Sequence, residues 1–182
     1  MHTVRIETAL YDDVELVYQD DSVAGYYLST PSSRATFVRT GPQTAERTPL
    51  GTRRSTDICA TVGGDPIAVR LGSARVMKRS YRVRLAYRDR VVVLAAKDLE
   101  SSALIRGDRD NGNDSFGDLT REYDGGVSAF WGLPFTFLRT KLEPPTPTAD
   151  EVLVGMTAAA AFGTGGLSVT TIAMSALSSV LP

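Results

Sequence analysis

The chain has 182 residues, 42% of them hydrophobic and 23% charged, enough for one ordinary core and too few for two generous ones. Twenty Lys and Arg against 21 Asp and Glu leave a net charge of −1, which removes global basicity as an argument for a nucleic-acid partner. A single His, His2, and a single Cys, Cys59, exclude a His/Cys zinc site, a disulfide within the chain and any triad that needs an interior His.

The opening Met-His-Thr-Val-Arg-Ile-Glu-Thr has neither the basic end nor the long apolar stretch of a secretory signal, so a cytoplasmic protein is expected, with membrane association as the alternative. Charge falls into three blocks. Residues 1–33 carry −5, residues 34–90 carry +9 and residues 91–182 carry −5. The asymmetry predicts either an anionic partner for the middle block or acidic blocks that fold over it and neutralise it.

Short apolar runs bounded by turn residues dominate the first 140 residues and read as strands. In chain order they are Val4–Glu7, Val14–Tyr18, Val23–Ser29, Ala35–Arg39, Thr56–Val62, Ile67–Leu71, Ser80–Tyr87, Val91–Leu94, Ala103–Arg106, Val127–Trp131 and Phe135–Arg139. Ser80–Tyr87 is the clearest: Tyr81, Val83, Leu85 and Tyr87 alternate with Arg82, Arg84 and Ala86. A tight connection at Arg88 and Asp89 places Leu85 opposite Val92 and Arg84 opposite Val93. The segments Pro42–Arg54 and Asp108–Asp118 read as long loops.

After Pro144, Pro145 and Pro147 the pattern changes. Thr148-Ala149-Asp150-Glu151 is a capping box, and the spacing predicts a helix from Ala149 to about Phe162. Gly163-Thr164-Gly165-Gly166 ends it, and a second helical stretch is expected from Leu167 to Val180. No charge occurs from Val152 to Pro182. Such a stretch needs a dry environment: its own fold, a bilayer or a partner subunit. Clustered glycines, many Ser and Thr, and the absence of Lys, Arg or an aromatic belt at its flanks argue for its own fold. Gly155, Ala159 and Gly163, at four-residue spacing, give one helical edge that lets another backbone approach closely.

The fold class expected is mainly β: an antiparallel barrel or sandwich of about ten strands, residues 1–143, packed around an apolar C-terminal helical segment, residues 144–182, within one domain. In this layout the chain resembles the tubby C-terminal-like superfamily, which includes the LURP-one-related and phospholipid-scramblase-like proteins. The residues that carry the likeness are the run Ala149 to Phe162, with Tyr81-Arg82-Val83-Arg84-Leu85 and Val127-Ser128-Ala129-Phe130-Trp131 as barrel strands. The resemblance implies a barrel closed around the C-terminal helix and a role in phosphoinositide binding, at membranes or as an adaptor. It transfers no binding residue.

Chemical motifs are sparse. Asp108-Arg109-Asp110-Asn111-Gly112-Asn113-Asp114 fails the spacing of a calcium loop, and Asn111-Gly112 is instead a hairpin-turn signal. The Gly163–Gly166 run lacks the Lys of a phosphate loop, and Cys59, between Ile58 and Ala60, reads as a buried small hydrophobe. No motif calls for a cofactor or a metal. The densest basic stretch supplies the candidate binding residues, Arg75, Lys78, Arg79, Arg82, Arg84, Arg88 and Arg90, as an Arg-rich sheet face for an anionic lipid head group or an acidic protein partner. Tyr81 and Tyr87 fall on the opposite face by strand parity, which argues against a stacking platform for nucleic acid. The expected function is therefore a non-catalytic binding or scaffold protein, with homo-oligomerisation open. Its rivals are a tail-anchored or assembly subunit and an enzyme working with carboxylates alone.

Overall fold

The computed structural model describes residues 1–75, 77–108, 114–132, 135–137, 140–142 and 144–166. The expected helical stretch Leu167–Val180 and the Asn111-Gly112 turn lie outside the described residues. Two antiparallel six-stranded sheets enclose one helix. The first holds β1 (His2–Ile6), β2 (Val14–Gln19), β3 (Ser22–Tyr27), β4 (Arg34–Arg39), β5 (Ile58–Val62) and β6 (Asp65–Pro66), each paired with its sequence neighbour. The second repeats the plan with β7 (Ala68–Leu71), β8 (Val83–Tyr87), β9 (Arg90–Ala96), β10 (Ser101–Arg106), β11 (Ser115–Arg121) and β12 (Val127–Trp131). A separate hairpin follows, β13 (Phe135–Phe137) with β14 (Thr140–Leu142), and then α1 (Ala149–Phe162).

The architecture is a sandwich, and it has fourteen strands among the described residues where about ten were expected. No ladder among the described residues joins β1 to β12, so the hydrogen bonds do not close into a barrel. The sheet edges touch locally instead. The Ile67 N–H donates to Ala60 O at 2.8 Å where the chain passes between sheets, and the Tyr18 hydroxyl donates to Gly125 O at the other edge. Reading Asp108–Asp118 as one loop missed β11, whose Ser115-Phe116-Gly117-Asp118 lacks β-branched residues. Its buried Phe116, Gly117 and Leu119 acquire strand form from packing, and Gly117 leaves room for the Trp131 ring, 2.6 Å from where a Cβ would stand. The strand expected from Ser80 begins only at Val83, because Lys78–Tyr81 forms a 3-10 helix.

Alternation builds the core. Val83, Leu85 and Tyr87 point inward and Arg84 outward, and Leu85 pairs with Val92 and Arg84 with Val93 across the two-residue turn, the expected register. Val14 and Leu16, Ala35 and Phe37, and Ala60 and Val62 do the same in the first sheet. The same parity corrects the reading of Cys59. With Ala60 and Val62 inside, Cys59 is exposed on the outer face of β5.

The helix occupies the centre. Every residue from Glu151 to Phe162 is buried, and α1 packs on β2, β3 and β4 from one side and on β9, β11 and β12 from the other. A helix with no polar face is stable only where both sides are covered. Thr148 caps it: its hydroxyl accepts from the Glu151 N–H at 3.3 Å, and the Glu151 carboxylate accepts from the Thr148 N–H at 2.8 Å. Gly163, at φ 81°, ends it in a backbone conformation that costs other residues strain. Among the described residues no helix is long and apolar enough to cross a membrane.

Candidate functional site

The seven sequence-selected cations do not share one sheet face. They divide between the two ends of α1, a 14-residue helix about 21 Å long. At its N-terminal end, Arg84 forks onto Asp108, with Nη2 to Oδ2 at 2.9 Å and Nε to Oδ1. Hydrogen bonding to this guanidinium holds the Asp108 carboxyl below its ordinary range. Arg88, in the β8–β9 turn at φ 52°, reaches Asp65 at 2.7 Å and Asp150 at 2.6 Å. Arg90 donates to the Thr148 hydroxyl at 2.9 Å. Arg82, half-buried just before β8, stands at the opposite end of that strand from Arg88 and has interactions of its own; its carbonyl accepts from the Gly72 N–H.

This N-terminal end contains a buried ion pair. Glu151 is 1% exposed and accepts from Arg106 Nε at 2.8 Å and Nη2 at 2.6 Å. Burial alone would push its carboxyl up, but hydrogen bonds from Arg106 and from the Thr148 N–H outweigh it and hold the group below the usual range. It is thereby fixed as an anion at the positive end of the helix dipole, where it stabilises α1 and is a poor proton acceptor. A hollow of about 650 Å³ opens here, with Arg90 and Arg106 outnumbered by Asp89, Asp108 and Glu151 in its wall, so it offers no excess of positive charge. Nearby, the Tyr87 hydroxyl is buried without a hydrogen-bond partner among the described residues.

The C-terminal end of α1 is arranged differently. The loop of residues 42–54 closes over the helix: the Leu50 N–H donates to Ala161 O at 2.8 Å. Arg53 places its guanidinium beneath, donating to Gly72 O at 2.9 Å, Tyr81 O at 3.0 Å and Phe162 O at 3.4 Å. Burial lowers its pKa, and no carboxylate neutralises it among the described residues; the negative end of the helix dipole does so in part. Beside it lies a cavity of about 270 Å³ bounded by Arg47, Thr48, Arg53, Tyr81, Leu99 and the turn after the helix, with no acidic residue in its wall. Arg47 is exposed and makes no ion pair among the described residues. A second hollow on its far side does carry acids, Glu100 and Glu122, together with Arg121.

The remaining selected cations rim this end. Arg75, Lys78 and Arg79 are exposed on the turn that contains the 3-10 helix, and Ala74 and Tyr81 of the same turn form one wall of the cavity. Lys78 Nζ donates to Lys97 O at 2.6 Å, which fixes this turn against the β9–β10 turn. Met77 and Leu99 stand out between them, 53% and 48% exposed. Sequence reasoning missed Arg47 and Arg53 because a loop has no periodicity from which to read direction. The available signal was indirect: the helix end has orphan carbonyls that need donors. The Gly163–Gly166 run serves as wall and helix stop, with Gly165 at φ 71° pressed on the Leu99 backbone. Among the described residues no three His, Cys, Asp or Glu side chains gather as a metal site. No protein-family model, curated protein or solved structure matches the chain.

Proposed function

We propose that the protein is a non-catalytic binding module that docks on an anionic membrane surface with the end of the molecule where α1 terminates. The observation that carries this reading is the composition of one turn: Arg75, Lys78 and Arg79 are exposed and without an acidic partner among the described residues, beside exposed Met77 and Leu99. Cations next to protruding apolar side chains suit a head-group layer, where the charges meet lipid phosphates and the apolar tips enter the acyl boundary. Two of the other candidate cations are already committed to acids, Arg84 to Asp108 and Arg88 to Asp65 and Asp150. The docking surface is thus narrower than the sheet face expected from charge density. The tubby-like kinship remains a proposal supported by layout alone, an apolar C-terminal helix held between antiparallel strands.

Sedimentation with vesicles tests the reading. Binding to phosphatidylserine vesicles should exceed binding to neutral ones and weaken with salt. With each cation worth about 1 kcal/mol at such a surface, replacing Arg75, Lys78 and Arg79 together by Ala should weaken it roughly a hundredfold. Equal binding to neutral vesicles, or a triple variant that binds as the parent does, would sink the proposal.

A further inference from the structure

We infer that the cavity at the C-terminal end of α1 is a binding site for a phosphomonoester group, distinct from the surface cations around it. Four residues with donor side chains line a space of about 270 Å³: Arg47, Arg53, Thr48 and Tyr81. Thr48 is 6% exposed, and its hydroxyl makes no hydrogen bond among the described residues. Solvent in the cavity reaches this hydroxyl, which is not among the buried side-chain atoms left without a partner, so it is free to bond a ligand there. Arg53 uses three of its N–H donors on carbonyls and has two left. Arg47 has all of its own available among the described residues. Thr164, also in the wall, is already occupied, its hydroxyl donating to Glu100 O and accepting from the Arg121 N–H.

Charge selects the ligand class. Two guanidinium groups and no acid in the wall leave an excess of positive charge that the half-charge at the helix end offsets only in part. A dianion balances it. A phosphomonoester carries close to two charges near neutral pH and three oxygens that accept from several donors at once, whereas a single carboxylate offers one charge and two coplanar oxygens. Guanidinium groups also pair with phosphate in the bidentate fork that Lys cannot make. The volume suits a small ligand or the phosphate end of a larger one.

The experiment is calorimetric titration of the full chain at constant ionic strength with inorganic phosphate, glycerol phosphate and, as the carboxylate control, acetate. Saturable single-site binding of the two phosphates and none of acetate is expected. Arg47→Ala and Thr48→Val should each weaken it about tenfold or more, as loss of a charge-assisted or buried hydrogen bond does. Arg47 is exposed, and Val has the shape of Thr, so both variants should retain the parent's circular dichroism and melting temperature. A double variant of Arg75 and Arg79, which keeps the Lys78 bond between the two turns of the cavity wall, should bind glycerol phosphate as the parent does, so this site and the membrane surface fail or succeed independently. Vesicles separate the two sources of the phosphate. If it belongs to a lipid, Arg47→Ala loses more affinity for phosphatidic acid vesicles than for phosphatidylserine vesicles of equal charge; if it belongs to a soluble metabolite, the loss is confined to glycerol phosphate. Absence of saturable phosphate binding, equal binding of acetate, or affinity indifferent to both variants would overturn the assignment.

Discussion

Glu151 shows how one side chain can hold together the end of a helix. It is one half of the capping box, it receives both arms of the Arg106 fork, and it lies in the first turn, where the helix dipole favours an anion. Removing Arg106 strands a carboxylate that is 1% exposed with only the Thr148 N–H to compensate it. Arg106→Ala should therefore cost about 2–4 kcal/mol in urea unfolding, toward the low end of what breaking a buried pair costs because the Arg106 side chain is 40% exposed. The pH dependence has a definite sign. Because the folded-state pKa of Glu151 is depressed, its contribution is fully present above the ordinary carboxyl value of about 4.5 and is lost as pH falls through the lowered folded value. Glu151→Gln should remove that portion of the acid destabilisation while leaving stability above pH 6 reduced but flat with pH. A variant with the parent's acid profile would show that other carboxylates govern the transition. None of this was visible from Glu151 alone. The capping box announced its bond to Thr148, but Arg106 lies in a distant strand, and only the sandwich brings the two together.

At the level of elements, the helix and its neighbours are matched by size. Gly155 faces Leu104 of β10 so closely that a Cβ would lie 2.6 Å from one Leu104 methyl and 3.1 Å from the other. On an exposed helix, Gly→Ala gains about 1 kcal/mol from propensity. Here the new methyl meets a side chain that is itself fully buried, and overpacking of that kind costs about 1–3 kcal/mol. The clash is the larger effect, so Gly155→Ala should destabilise by about 1–2 kcal/mol despite its better propensity. Combining it with Leu104→Ala should cost clearly less than the two single changes added, because the methyl enters the space that leucine vacates. Additivity in that cycle would mean that the two residues are not in contact. The elements most legible in the sequence are those whose local signals agree: α1, where prolines, a capping box and a glycine stop bracket an apolar run, and the β8–β9 hairpin, where alternation and a short turn fix the register. The strand β11 was illegible because Gly117 is placed there for Trp131 and not for the strand. Cys59 was misread because its apolar neighbours were weighed in place of its parity.

Over the whole molecule, the three charge blocks become a contact map. Arg39 of the basic block meets Asp21 of the first acidic block, while Arg84 and Arg88 meet Asp108 and Asp150 of the last. Neutralisation within the fold accounts for these, while Arg47, Arg75, Lys78 and Arg79, without an ion pair among the described residues, lie together where α1 ends. That end was only half legible: Arg75, Lys78 and Arg79 stand out by density, but Arg47 and Arg53 acquire meaning only from a loop that folds back on the helix. The central helix is also the last described element in the chain, so both sheets must form around a core that is completed at the end. Its Val152, Leu153, Val154, Met156 and Phe162 side chains are all buried. At about 1.5–3 kcal/mol each they amount to roughly 10 kcal/mol, comparable with the whole stability of a typical domain. A chain ending at residue 148 should accordingly keep strand signal in far-ultraviolet circular dichroism, lose its near-ultraviolet signal, bind a hydrophobic dye and unfold without a cooperative transition. The Phe37 ring, which packs edge-on to Phe162 at 5.4 Å, would be left facing a void. A truncated chain that unfolds cooperatively would mean that the two sheets can close on each other directly, and that α1 occupies the core without being required to form it.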